Sequence, residues 1–194
     1  MENQTPLQKQ IQALQEWANG NYFQKYANTQ NQAQKYFDEV QELSELVEGR
    51  TIKEINSSPK LMASIKDELG DVLVTALMFA AITNTPIVEV SEPTIVQCNY
   101  IKLLNNACVN GRLQVNTIIA LCNNFALTYN LGALSNILKD VNIKLSMRQI
   151  SESTACWFYD GNEWRFIKEK DFEQYVNAEP CAEWYQIISN QSIK

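Results

Sequence analysis

The chain has 194 residues and no histidine. That absence excludes Ser-His-Asp and Cys-His nucleophile systems, HExxH zinc sites and any imidazole proton shuttle. Acid–base or metal chemistry must come from carboxylates, Lys, Tyr or Cys. Glycine and proline are scarce, six and five residues, which favours helices over turn-rich β architecture. Five cysteines (Cys98, Cys108, Cys122, Cys156, Cys181) form an odd set without a CxxC pair, the pattern of reduced, partly buried thiols. The apolar run Val72–Ile82 is too short for a bilayer, and the polar start Met1–Pro6 lacks the basic-then-apolar order of a signal peptide. A cytoplasmic location without a membrane partner is expected.

Charge is also one-sided, with 22 acids against 16 bases and a net −6, so a broad nucleic-acid-binding surface is not expected. Its distribution is uneven: residues 1–90 carry −5, residues 91–150 carry +3 and residues 151–194 carry −4. A hydrophobic share of 45% at this length is ample for a buried core.

What is present is mostly helical periodicity. Leu7, Ile11, Leu14 and Ala18 mark one face of a helix over 7–23, with Gly20 as a stop. Tyr36, Val40, Leu43 and Val47 mark a second over 32–48, followed by Gly49 at a C-cap position. Ser58 and Pro59 read as N-cap and first helical residue of a third, running through Ile65, Leu69, Val72 and Phe79 to about Thr83. Further helices are predicted near 94–109, 113–129 and 131–147, in a stretch rich in Asn. Asp160-Gly161 is flanked by aromatics and reads as a β-hairpin turn, and 172–189 as a short closing helix. The expected architecture is all-α with a small C-terminal β-hairpin appendage: residues 1–150 form the helical domain, and 151–194 the hairpin and tail. A faint echo of 46–50 in 108–112 raises the alternative of a degenerate internal duplication.

The chemistry-bearing feature is a pair of carboxylate pairs. Glu39 and Glu42 are three apart, as are Glu68 and Asp71, so each pair shares one helix face. Glu68 falls between Ile65 and Val72, in the apolar stripe, where a carboxylate is costly unless something pairs with it. Glu45 and Asp67 fall off these faces and read as surface charges. Four hard oxygen donors on facing helices suit Mg²⁺ or Mn²⁺ rather than zinc.

ExxE (Glu39, Glu42), 25 intervening residues, then ExxD (Glu68, Asp71) inside Glu-Leu-Gly-Asp-Val-Leu resembles the MazG-like all-α nucleoside triphosphate pyrophosphohydrolases, especially the short phage and bacterial type. The likeness covers about residues 7–85, including Gln15-Glu16-Trp17-Ala18 on the first helix. A weaker similarity at Val141, Asn142, Lys144 and Arg148 follows a family pattern on the last helix, although Asp71 and Lys144 are 73 positions apart. The resemblance implies Mg²⁺ (or Mn²⁺) on Glu39, Glu42, Glu68 and Asp71, with hydrolysis of a (d)NTP to the monophosphate and pyrophosphate. Glu42 is the favoured residue for orienting and deprotonating the attacking water. Lys53, Lys144 and Arg148 are expected at the phosphates, Asn142 beside them, and Trp17 and Asn21 at the base. Family likeness implies a homodimer or homotetramer; the alternative is that the 91–150 segment completes the bundle within one chain. A guanosine tetraphosphate hydrolase fits the same acids. A different class, an inactive helical interaction module docking through Trp157 and Trp164, is the remaining alternative.

Overall fold

The computed structural model describes residues 4–88, 93–95 and 98–191. Helix α1 (Pro6–Gly20) starts with a capping box, Thr5 accepting from the Gln8 amide while the Gln8 side chain returns to the Thr5 amide. The short α2 (Phe23–Tyr26) leads to α3 (Thr29–Val47), capped by Asn28 and closed by Gly49 at φ +73°. A second capping box, Thr51 with Glu54, opens α4 (Ile52–Asn56). Ser58 caps α5 (Pro59–Thr83), the longest helix, as the Ser-Pro signal predicts.

Helices α3 and α5 form the most extensive helix pair and run antiparallel. Gln32 Nε2 donates to the Thr75 carbonyl at 3.0 Å at one end, and Glu39 and Glu42 reach Glu68 further along. Tyr36, Val40 and Leu43 from α3 and Ile65, Leu69, Val72 and Leu73 from α5 are fully buried between them. By ordinary transfer energies each such side chain contributes about 1.5–3 kcal/mol.

In the second half the helices predicted near 113–129 and 131–147 are present, and only the one predicted over 94–109 is cut short. Helix α6 (Tyr100–Asn106) begins only at its Asn99 cap and is seven residues long. A two-stranded hairpin follows, β1 (Cys108–Val109) and β2 (Arg112–Leu113), turned by Asn110 and Gly111 at φ +51° and +72°. Then come α7 (Val115–Thr128) and α8 (Leu134–Ser146). The asparagines explain the shortening, because their side chains tie loops instead of extending helices. Asn116 accepts from the Val88 amide at 3.0 Å and Asn124 from the Thr94 amide at 2.8 Å. Residues 96–97 of the predicted 94–109 helix lie outside the described residues. Gly49 ends a helix whereas Gly111 turns a hairpin, so the sequence echo has no local structural counterpart.

The aromatic C-terminal segment forms β3 (Ala155–Tyr159) and β4 (Trp164–Lys168), with β5 (Glu179–Pro180) added antiparallel to β3. Asp160 Oδ1 accepts from the amides of Asn162 and Glu163, each at 3.0 Å, which holds the four-residue turn. The closing helix predicted over 172–189 is instead a 3₁₀ turn (Glu169–Tyr175), β5 and then α9 (Ala182–Gln191), since Pro180 cannot sit inside a helix.

This sheet does not stand apart from the helices. Trp157 is 3% exposed, its Nε1 donates to the Asn21 carbonyl at 2.8 Å, and its ring meets Phe23 edge-on at 4.8 Å. The other face carries Phe158, packed on Phe172, Tyr175 and Trp184. Cys156 and Cys181 are buried thiols with sulfurs 3.8 Å apart, and no cysteine among the described residues is disulfide-bonded.

Candidate active site

The facing surfaces of α3 and α5 bring three of the predicted acids together. Glu39, Glu42 and Glu68 each offer a carboxylate oxygen, and these oxygens all lie within 4.8 Å of one another. Glu42 is exposed, while Glu39 and Glu68 are half-buried. Glu68 Oε2 is fully buried and has no hydrogen-bond partner. Asp71, one turn beyond Glu68, stands outside this tight trio but faces the same side as Glu39.

Electrostatics record the strain of this arrangement. Burial pushes the Glu39 carboxyl up to about 7, with Asp71, Glu42 and Glu68 adding repulsion against the pull of Lys35. Burial likewise raises Glu68, and Glu42 and Asp71 push the same way. Asp71 is raised by burial and by Asp67, opposed by Lys144, Lys35 and Arg148. A buried oxygen without a donor, among carboxylates that repel, is the environment that a bound cation would relieve. The donors are all hard oxygens, so a divalent ion of the Mg²⁺ or Mn²⁺ kind fits them and a thiophilic one does not.

Beside the acids opens a cleft of about 640 Å³ between α3, α5, α8 and the β3–β4 hairpin. Glu39 and Asp71 stand on its wall, with Lys35, Lys144 and Arg148 near them and Trp17, Trp157 and Phe166 among its aromatic residues. Val141, Lys144 and Leu145 share one face of α8, at the three- and four-residue spacing of a helix, and that face lines the cleft with Arg148 just past the helix end. Glu42 and Glu68 open on the other side, into a shallow groove edged by Asp38 and Glu45.

The remaining predicted residues divide. Trp17 lines the cleft and donates its Nε1 to the Arg148 carbonyl at 3.2 Å. Lys144 and Arg148 are brought to the acids, Lys144 in an ion pair with Asp67. Asn21 is not placed as a base reader: it is 4% exposed, donating to the Trp17 carbonyl at 2.9 Å and accepting from the Ile150 amide at 2.9 Å. Asn142 lies off the cleft-lining face of α8 and donates to the Gln10 backbone at 2.9 Å, tying α8 to α1. Lys53 is exposed on α4 and makes no ion pair with the acids.

Residues 28–92 match the family model of the MazG nucleotide pyrophosphohydrolase domain. Over this segment the chain is similar to a MazG domain. No curated protein and no solved structure matches the chain. The MazG match holds α3, α4 and α5 with all four acids, and it excludes α1, α8 and the C-terminal sheet. Several cleft residues therefore come from outside the MazG segment, and sequence reasoning missed Phe166 and Lys168 among them. Alternation along β4 was the available signal, since Trp164, Phe166 and Lys168 share one face. Lys35 was readable as the helical i,i+4 partner of Glu39, at 3.8 Å. No described helix is long and apolar enough to cross a membrane.

Proposed function

We propose that the cleft hydrolyses a nucleoside triphosphate to the monophosphate and pyrophosphate, with Mg²⁺ held by Glu39, Glu42, Glu68 and Asp71. The observation that carries this reading is the unpartnered, buried Glu68 Oε2 beside two further carboxylates, one of which, Glu39, stands on the wall of a cleft that also holds cations. When bound, the metal would supply charge neutralisation at the phosphates and a lowered pKa for a nearby water.

The chain's own residues divide the remaining work. Lys35 and Arg148 bring positive charge to the side where phosphate oxygens would lie, and the Trp17 ring offers a flat apolar wall for a base. Glu42 is the only exposed member of the carboxylate trio, so it can reach a solvent water, orient it and accept its proton. Helix α8 and the hairpin form walls of the cleft within one chain.

The test is a pyrophosphate-release screen over canonical and modified (d)NTPs and guanosine tetraphosphate, with Mg²⁺ or Mn²⁺. Glu39→Gln and Asp71→Asn are expected to lower turnover at least a hundredfold. Release by both variants at the parent's rate would dispose of the metal-site reading. Absence of release from every nucleotide by the parent would favour a helical interaction module.

A further inference from the structure

The cations lining the cleft are not equivalent. Lys144 is paired with Asp67, and Lys35 leans on Glu39 at 3.8 Å. The Arg165 guanidinium is taken up by Asp160 at 2.8 Å and Glu163 at 2.6 Å. Arg148 and Lys168 remain: both line the cleft, both are half-buried, and neither forms an ion pair among the described residues. They come from different parts of the chain, the turn just past α8 and the end of β4. Lys168 pairs across the sheet with Ala155, in line with Phe166 and Trp164 on the face turned to the helices.

Their proximity has an electrostatic signature. The Lys168 ammonium is held below the usual lysine range, first by the Arg148 guanidinium and then by burial, with Lys170 and Lys35 acting the same way and Asp171 opposing. Two cations brought together under partial burial repel each other unless an anion joins them. A phosphate group satisfies that geometry, because its several oxygens accept from a guanidinium and an ammonium at once. A cleft of about 640 Å³ is of small-molecule size.

We propose that the β3–β4 hairpin completes the substrate site, with Lys168 and Arg148 holding a phosphate in the cleft whose wall also carries Glu39 and Asp71. Lys168 lies well outside the segment that matches the MazG family model, so this contact is supplied by the chain's own C-terminal sheet. The inference rests on the nucleotide reading for the identity of the ligand, but the site's chemistry asks only for a polyphosphate.

The experiment compares the parent, Lys168→Gln and Lys168→Arg in two assays. The first is steady-state pyrophosphate release, and the second is calorimetric binding of inorganic triphosphate. Lys168→Gln is expected to raise KM about tenfold, the usual effect of losing one charged hydrogen bond. Lys168→Arg should recover most of it, and triphosphate affinity should follow the same order. Unchanged KM and unchanged triphosphate affinity in Lys168→Gln would overturn the inference while leaving the nucleotide reading intact. If the parent cleaves no nucleotide, the second assay decides alone: triphosphate binding weakened by Lys168→Gln supports the subsite, and equal or absent binding overturns it. Should Lys168→Gln melt early, Arg148→Gln in the binding assay takes its place, with the same two outcomes.

Discussion

A Cβ built on Gly70 would stand 2.7 Å from the Val141 Cγ2 methyl, so α5 and α8 touch at the residue between Glu68 and Asp71. Glycine inside a helix costs about 1 kcal/mol relative to alanine, so something must favour it here. The contact does so, because Val141 is β-branched and stiff about χ1, and the methyl cannot swing aside. The close approach also sets the Lys144 face of α8, with Arg148 just past its end, against the acids. Overpacking of this kind costs about 1–3 kcal/mol, which exceeds the propensity gain. Gly70→Ala should therefore lower the unfolding free energy by about 1 kcal/mol in urea melts, and adding Val141→Ala should recover part of it. Gly20, with nothing within 4 Å of its built Cβ, is the control position. A stabilised Gly70→Ala variant would contradict the account.

The Glu39 carboxyl gives the metal-free protein a pH dependence with a definite sign. Its folded value, about 7, lies above the ordinary 4.5, so the folded state binds the proton more tightly than the unfolded chain does. Its contribution must therefore weaken as pH rises from about 4.5 to 7, then level off. The upward shifts of Glu68 and Asp71 act in the same direction. With Glu39 largely shielded from solvent, its share is about 2 kcal/mol across that window. Chemical denaturation in EDTA from pH 5 to 8 should show wild type losing stability relative to Glu39→Gln by that amount. Parallel pH profiles for the two proteins would rule the effect out.

The first half of the fold was legible because its signals are local. Ser58-Pro59, Gly49 and the buried spacing of Tyr36, Val40 and Leu43 each specify a helix start, stop or face within a few residues. The acids were legible for the same reason, as two helical pairs and one carboxylate in an apolar stripe. What failed depended on partners far along the chain. Asn21 looked like an exposed polar residue near a Trp, yet Ile150 and Trp157, about 130 residues away, claim its backbone and side chain. Asn142 matched a family pattern while its amide reaches back to Gln10. Lys168 carried no motif, and only strand pairing and α8 packing bring it beside Arg148.

The bond from Trp157 Nε1 to the Asn21 carbonyl, and that from the Ile150 amide to Asn21 Oδ1, fasten the hairpin to the helices. Removing a buried Trp side chain typically costs about 3–5 kcal/mol, and stranding one buried amide about 1–3. Trp157→Ala and Asn21→Ala should thus destabilise the whole chain. Unfolding should remain one transition, seen identically by tryptophan fluorescence and far-UV circular dichroism. A hairpin that melts alone, with the helical signal unchanged, would show that 151–194 is a separable appendage. Asn21→Ala should also alter selectivity among nucleobases little, because the side chain is turned into the fold.

Glu68 allows stability and metal binding to be separated in one variant. In the metal-free protein its buried Oε2 has no donor and sits among like charges. Glu68→Gln removes one charge, and the new amide can donate to a neighbouring carboxylate, so the metal-free variant should gain about 1 kcal/mol. The same change takes away a hard ligand from the trio. Wild type should gain about 2.7 kcal/mol at Mg²⁺ a hundredfold above its Kd, seen as a rise in Tm. Glu68→Gln should start higher and rise far less. The crossing of the two titrations is the diagnostic, because a purely structural Glu68 predicts two curves displaced by a constant amount. Parallel Mg²⁺ titrations would remove Glu68 from the metal site and, with it, the observation that carries the hydrolytic reading.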